Sequence, residues 1–162
     1  MSKLSRPSDP TNATGESRRF FVSTQTSGRR PLLQSERMAN LLIDVLRNSM
    51  RAGKFRVHDF VVMPNHVHIL MTVCGVMTLE KAMQLIKGGF SFRANKELGF
   101  KGEIWQRGFS DARVTDERSF RQHQQYIDDN PVKAGLANSP EEFLFGSAYL
   151  KKRKREGANF RN

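Results

Sequence analysis

The stretch Val57-His58-Asp59-Phe60-Val61-Val62-Met63-Pro64-Asn65-His66-Val67-His68-Ile69-Leu70-Met71-Thr72-Val73 decides the fold. Two runs rich in β-branched and aromatic residues flank a Pro-Asn pair. Proline presets φ and asparagine tolerates tight backbone geometry, so the pair is a turn signal with a mechanism. The expectation is a β-hairpin, Val57 to Met63 against Val67 to Val73. Successive strand side chains point to opposite faces, which puts His66, His68 and Leu70 on one side and Val67, Ile69 and Met71 on the other. The apolar side is expected to face inward.

Upstream, Phe20, Phe21 and Val22 with Thr24 and Thr26 predict another strand. Ser35 offers an N-cap for a helix whose stripe is Met38, Leu41, Leu42, Val45 and Leu46, with a stop near Gly53. Downstream, Thr78 caps a second helix through Leu79, Ala82, Met83, Leu85 and Ile86. Gly88 and Gly89 interrupt or end it, or permit a close backbone approach to a ligand, and Phe90 to Leu98 continue a basic helical pattern. Trp105 to Val114 reads as irregular or extended. A last helix begins at Thr115 with Asp116 and Glu117 in its first turn, and it is expected to stop at Asn130 because Pro131 disfavours helical geometry in the residue before it. This order predicts an α+β sandwich with a mainly antiparallel sheet that carries the His-x-His strand and helices packed on it.

At 162 residues, 38% of them apolar, the chain is expected to form one domain over residues 18–150. Residues 1–17 lack any apolar period and read as a flexible arm. Lys151, Lys152, Arg153, Lys154 and Arg155 open a basic tail over 151–162, either solvated or laid on phosphates. A single cysteine, Cys74, excludes an internal disulfide and points to a reducing cytosol. No apolar run approaches the roughly 20 residues that span a bilayer, so no membrane role is expected. Lys and Arg number 27 against 16 Asp and Glu, a net charge of +11 that favours a polyanionic partner. Nucleic acid leads that class.

His66 and His68, at i and i+2 on a strand, stand about 7 Å apart at the backbone, close enough for both imidazoles to reach one metal ion. On spacing alone a structural or incidental role is the better account of such a pair. Tyr126 and Asn130 lie four apart on the last helix, so phenol and amide project from one face. Tyrosine can be a nucleophile and an amide oxygen suits Mg²⁺ or Mn²⁺, while packing is the competing explanation. His123, one turn earlier, is a further candidate for phosphate contact or an exposed polar residue.

Three separated motifs change the balance. Met63-Pro64-Asn65-His66-Val67-His68-Ile69-Leu70, then Trp105-Gln106 with Phe109, then Tyr126-Ile127-Asp128-Asp129-Asn130-Pro131-Val132-Lys133-Ala134-Gly135-Leu136 resemble the signature of the REP-associated tyrosine transposases, within the IS200-like single-tyrosine transposases of the HUH superfamily. The resemblance spans about residues 18–150 and implies a ferredoxin-like domain. It implies that His66, His68 and Asn130 hold Mg²⁺ or Mn²⁺ and that Tyr126 is the nucleophile. The implied chemistry is attack on a scissile phosphate, leaving a 5′-phosphotyrosine and a free 3′ hydroxyl, which a later reversal can rejoin.

The implied substrate is a DNA hairpin with flanking single strand formed from palindromic repeats, handled in the cytoplasm at the nucleoid. Arg18, Arg19, Arg29, Arg30, Arg93, Lys96 and Lys101 are then candidate phosphate contacts, with solvated surface the safer reading, and Phe90, Phe92 or Trp105 candidate stacking partners for a base, with core packing the safer one. Among related enzymes dimers and monomers both occur, so a homodimer stays open. The alternative is a repeat-DNA-binding protein that no longer cuts. An RNA endonuclease is disfavoured, because RNA carries its own 2′ hydroxyl nucleophile.

Overall fold

The structure is a computed structural model and describes residues 16–159. The elements in chain order are β1 (Arg18–Gln25), α1 (Glu36–Arg51), β2 (Arg56–Val62), β3 (His66–Val73), α2 (Leu79–Leu98), β4 (Ser110–Val114), α3 (Glu117–Lys133) and α4 (Ser147–Asn159). The strands form one antiparallel sheet in the order β2-β3-β1-β4. With β1-α1-β2-β3-α2-β4 as its chain order, this is the ferredoxin-like α+β arrangement. The arm expected over residues 1–17 lies almost wholly outside the described residues.

The two faces of the sheet are covered by different helices. Phe20, Val22, Val67, Ile69, Met71 and Val73 join the stripes of α1 and α2 in the larger core. Burying a side chain of this size is worth about 1.5–3 kcal/mol, so this layer dominates stability. On the opposite face α3 packs on β2 and β3 over a smaller cluster of Val61, Met63, Leu70, Val114 and Ile127. The side of β3 that holds the histidines is therefore covered by a helix rather than left to solvent.

Capping follows the residue chemistry. Ser35 accepts from the Met38 amide and Thr78 from the Lys81 amide, as the sequence predicts. At α3 it is Asp116, not Thr115, that caps, accepting from Ser119. α2 runs unbroken through Gly88 and Gly89 to Gly99, whose left-handed φ of 68° ends it. A Cβ on Gly89 would lie 3.7 Å from Val45 of α1, so this glycine sits at a helix–helix contact. Trp105 is buried, its indole N–H donating to the Lys87 carbonyl at 3.0 Å.

One further expectation is corrected, and two features add to the reading. α3 does not stop at Asn130 but runs through buried Pro131 to Lys133. Proline there removes only one donor near the helix end, while the Asn130 and Pro131 carbonyls still accept from Ala134 and Leu136. The boundary drawn at residue 150 falls inside α4, and Lys151 bonds buried Asp59. β2 carries a bulge between Val57 and Asp59. The extra residue, His58, shifts the pleat, so Asp59 pairs with Leu70 and turns toward α3 rather than into the larger core.

Candidate active site

β3 delivers both histidines to the face under α3. Strand alternation places them on one side, and their rings meet edge to face with centroids 4.8 Å apart. Each ring is oriented at Nδ1. That of His66 lies 2.7 Å from Asn65 Oδ1, and that of His68 lies 2.6 Å from Ser23 Oγ, its cross-strand partner on β1. Donation from Nδ1–H to these oxygens leaves each Nε2 with a lone pair for a ligand.

Burial sets their charge state. His68 is 7% exposed, and burial, with His66 beside it, pushes its pKa down to about 3. His66 is lowered as well, first by burial; a hydrogen bond to Asn130 opposes this and the charge of Arg29 adds to it. Neutral imidazoles are the form that binds metal.

α3 brings the remaining pieces. The Tyr126 ring stands edge-on to His68 at 5.3 Å, and Asn130, one turn later, lies close enough to His66 to raise its pKa. Tyr126 is 46% exposed, so the phenol is open to a large substrate while the histidine beneath it is not. Phe21 of β1 is the floor, with its ring 5.5 Å from His68, 5.7 Å from Tyr126 and 4.6 Å from His123. His123 is held by the Ser119 carbonyl at 2.8 Å and packs on this ring as a wall of the site. The expected quartet of His66, His68, Tyr126 and Asn130 thus gathers within one chain. Sequence reasoning missed Ser23, Asn65 and Phe21 as its supports. Asn65 reads from the sequence as a turn residue within the first motif, and Ser23 and Phe21 become visible once the β1–β3 register is known.

Among the described residues no three His, Cys, Asp or Glu side chains come together to hold a metal. The side chain beside the two imidazoles that could serve as a third donor is the Asn130 amide. Two neutral imidazoles and one amide oxygen fit a divalent ion that retains water, such as Mg²⁺ or Mn²⁺.

Below the site, β2 and α4 fix α3 from behind. Asp59, 2% exposed, accepts from Gln124 of α3 at 2.7 Å and from Ser147 and Lys151 of α4. Asp128 faces the same pocket, and burial followed by the nearby Asp59 charge pushes its pKa up to about 6.

The basic candidates separate. Arg18 is 2% exposed with its guanidinium turned to the Gly75 and Met77 carbonyls, which corrects its reading as a surface phosphate contact. Arg93 is paired with Asp44 and Glu97, and Arg19 with Glu117. Arg30 donates to the Glu103 carbonyl. Arg29 stands nearest the histidines, at a left-handed φ of 55°, its carbonyl accepting from Asn65. Lys96 and Lys101 are exposed, the former over the ring of Phe92. Phe92 is 65% exposed, whereas Phe90 and Trp105 are core residues and cannot stack on a base.

Comparison with known proteins agrees with this geometry. A solved structure of a REP-associated tyrosine transposase bound to a REP hairpin matches with a TM-score of 0.69 and 25% identity, covering 92% of this chain and 84% of that one. A REP-associated tyrosine transposase of Escherichia coli K12 is 28% identical over 131 residues, 79% of this chain and 74% of the relative. An uncharacterized protein of Haemophilus influenzae is 28% identical over 101 residues, 48% of this chain and 54% of that protein. The chain spans about half the length of the first curated relatives it matches. The model of the family described as Transposase IS200 like matches residues 20–130, from the second residue pair of β1 through Asn130. The chain belongs to the IS200-like transposase family.

Proposed function

We propose that the chain binds hairpin-forming repeat DNA with single-stranded flanks, cuts one strand and rejoins strands through a tyrosine-linked intermediate. The observation that carries this reading is the meeting of Tyr126 with His68 at 5.3 Å, beside the His66–Asn130 contact, within a single chain. The match to a transposase bound to a REP hairpin supports the substrate class, and the +11 net charge supports a polyanion.

A Mg²⁺ or Mn²⁺ ion held by His66, His68 and Asn130 would supply Lewis acidity toward the scissile phosphate. The rest is done by the chain. Tyr126 Oη forms a bond to phosphorus as the bond to the 3′ oxygen breaks on the far side. The phenol's proton passes to solvent, and the departing oxygen takes one up. This leaves a 5′-phosphotyrosine and a free 3′ hydroxyl. The new linkage keeps a phosphodiester's energy, so a second 3′ hydroxyl can reverse the step, giving up its proton while the phenol regains one, without a nucleotide cofactor. Ser23 and Asn65 hold the imidazoles in register, and Phe21 sets the height of the phenol above them. The site needs one chain only. Action at the nucleoid is part of the same proposal; among the described residues no helix is long and apolar enough to cross a membrane.

The test is a labelled hairpin with single-stranded flanks, incubated with protein and Mg²⁺ or Mn²⁺ and resolved on a denaturing gel. Wild type is expected to give a cut strand and a protein-bound fragment. Tyr126→Phe is expected to bind without forming the adduct. A wild-type protein that binds but never cuts with metal would instead be a silent repeat-binding protein.

A further inference from the structure

The end of the sheet opposite the histidines carries a cleft of about 1150 Å³ that the reaction above does not use. It is walled by the start of β1, the end of β3, the α1–β2 connection and the end of β4. Among the described residues Arg18, Arg19, Lys54, Arg56, Lys81 and Arg113 line it and no carboxylate does. Low-dielectric walls bearing one sign of charge focus the field into such a cleft.

Its floor holds a second, independent sign of a ligand. Arg18 is 98% buried, and although its Nη2 donates to the Gly75 and Met77 carbonyls at 3.1 and 2.7 Å, its Nε and Nη1 are buried with no partner. A buried donor left unsatisfied costs about 1–3 kcal/mol, more when charged. Its neighbours on this face of β1, Phe20 and Val22, belong to the larger core and offer the guanidinium no acceptor. An anion in the cleft would neutralise the exposed arginines and lysines around it and the buried Arg18 charge beneath them.

We propose that this cleft is a second phosphate site, which holds a backbone phosphate of the bound DNA away from the point of cleavage. Arg18 stands five residues before Ser23 on β1, at the end of the sheet away from His68 and on its other face. The inference rests on the DNA-binding reading above and gives it a place for the part of the substrate that is not cut.

The experiment measures binding alone. A fluorescein-labelled hairpin is titrated in EDTA at several salt concentrations with wild type and with R56E/R113E, both substituted residues being exposed. The variant is expected to bind at least tenfold more weakly, with the slope of log K against log salt shallower by about 1 to 2. Unchanged affinity and slope in a variant that melts like wild type would overturn the proposal. Failure of the wild type to bind any hairpin would instead sink the DNA-binding reading itself. Because Arg113 also covers the Phe20 ring, a readout without mutation is included: the ¹⁵N resonance of Arg18 Nε in wild type is expected to shift on adding the hairpin. A resonance moved by inorganic phosphate but not by DNA would make this a small-anion site and overturn the assignment.

Discussion

β3 shows two chemistries on one strand. Val67, Ile69, Met71 and Val73 face α1 and α2 in a layer made almost wholly of hydrocarbon. His66 and His68, one residue out of phase, face α3 together with Ser23, Phe21 and the buried carboxylate of Asp59. The first face is worth stability, and along β3 it carries no polar side chain. The second gives up packing density for oriented imidazoles, and its helix is fastened by hydrogen bonds rather than by area. A domain this small can hold a reactive site because the larger core, on the other side, stabilises the sheet that both faces share.

The sharpest way to break that division is to change neighbours on β3. Replacing both His66 and His68 by Ala is expected to lower DNA cleavage at least a thousandfold, while the melting temperature stays within a few degrees; the gel assay and a thermal melt read the two effects. Ile69→Ala, on the other face, is expected to cost about 2–5 kcal/mol in urea unfolding by leaving a cavity. Folded molecules of that variant should still cut.

Asp59 tests the fastening of α3. Its substitution by Ala strips a partner from Gln124, Ser147 and Lys151 at once. A loss of about 2–3 kcal/mol is expected, with faster hydrogen exchange at α3 and α4 amides than at α1. Ser23→Ala removes only the hydrogen bond that orients His68. A roughly tenfold loss of Mn²⁺ affinity by calorimetry is expected, with the urea midpoint nearly unchanged. The smallest effect belongs to Ser35→Ala at the start of α1, about 1 kcal/mol, with DNA binding unaltered.

Much of this division is legible in the chain before any coordinates. The alternation of His66-Val67-His68-Ile69 separates the faces because the period of a strand is two, and Ser35 and Thr78 mark helix starts because their hydroxyls satisfy free amides. What is not legible depends on pairing across the chain. The bulge at His58 leaves a trace, since Val57, Phe60 and Val62 are out of step for one face, but its effect on Asp59 appears only against Leu70. Pro131 misleads because its penalty near a helix end is small compared with burying its ring. Arg18 looks like any surface arginine until the β1–β3 register places it on the face of Phe20 and Val22. Lys151 opens a run of like charge that suggests a solvated tail, and only a buried carboxylate from a distant strand gives it a fixed place. Spacing made the site's histidines, tyrosine and amide candidates, and the resemblance of three motifs joined them into one set. Their supports, Ser23 and Phe21, could not, because nothing local ties β1 to them.

The central claim is that the phenol beside His68 is the group that takes the DNA. Peptide mapping by mass spectrometry, after digestion of the protein cross-linked to its own cleaved hairpin, tests it directly. The account predicts a 5′-phosphate-linked nucleotide on the peptide containing Tyr126. Attachment at Tyr149, or a cut hairpin with no nucleotide on any tyrosine, would contradict it.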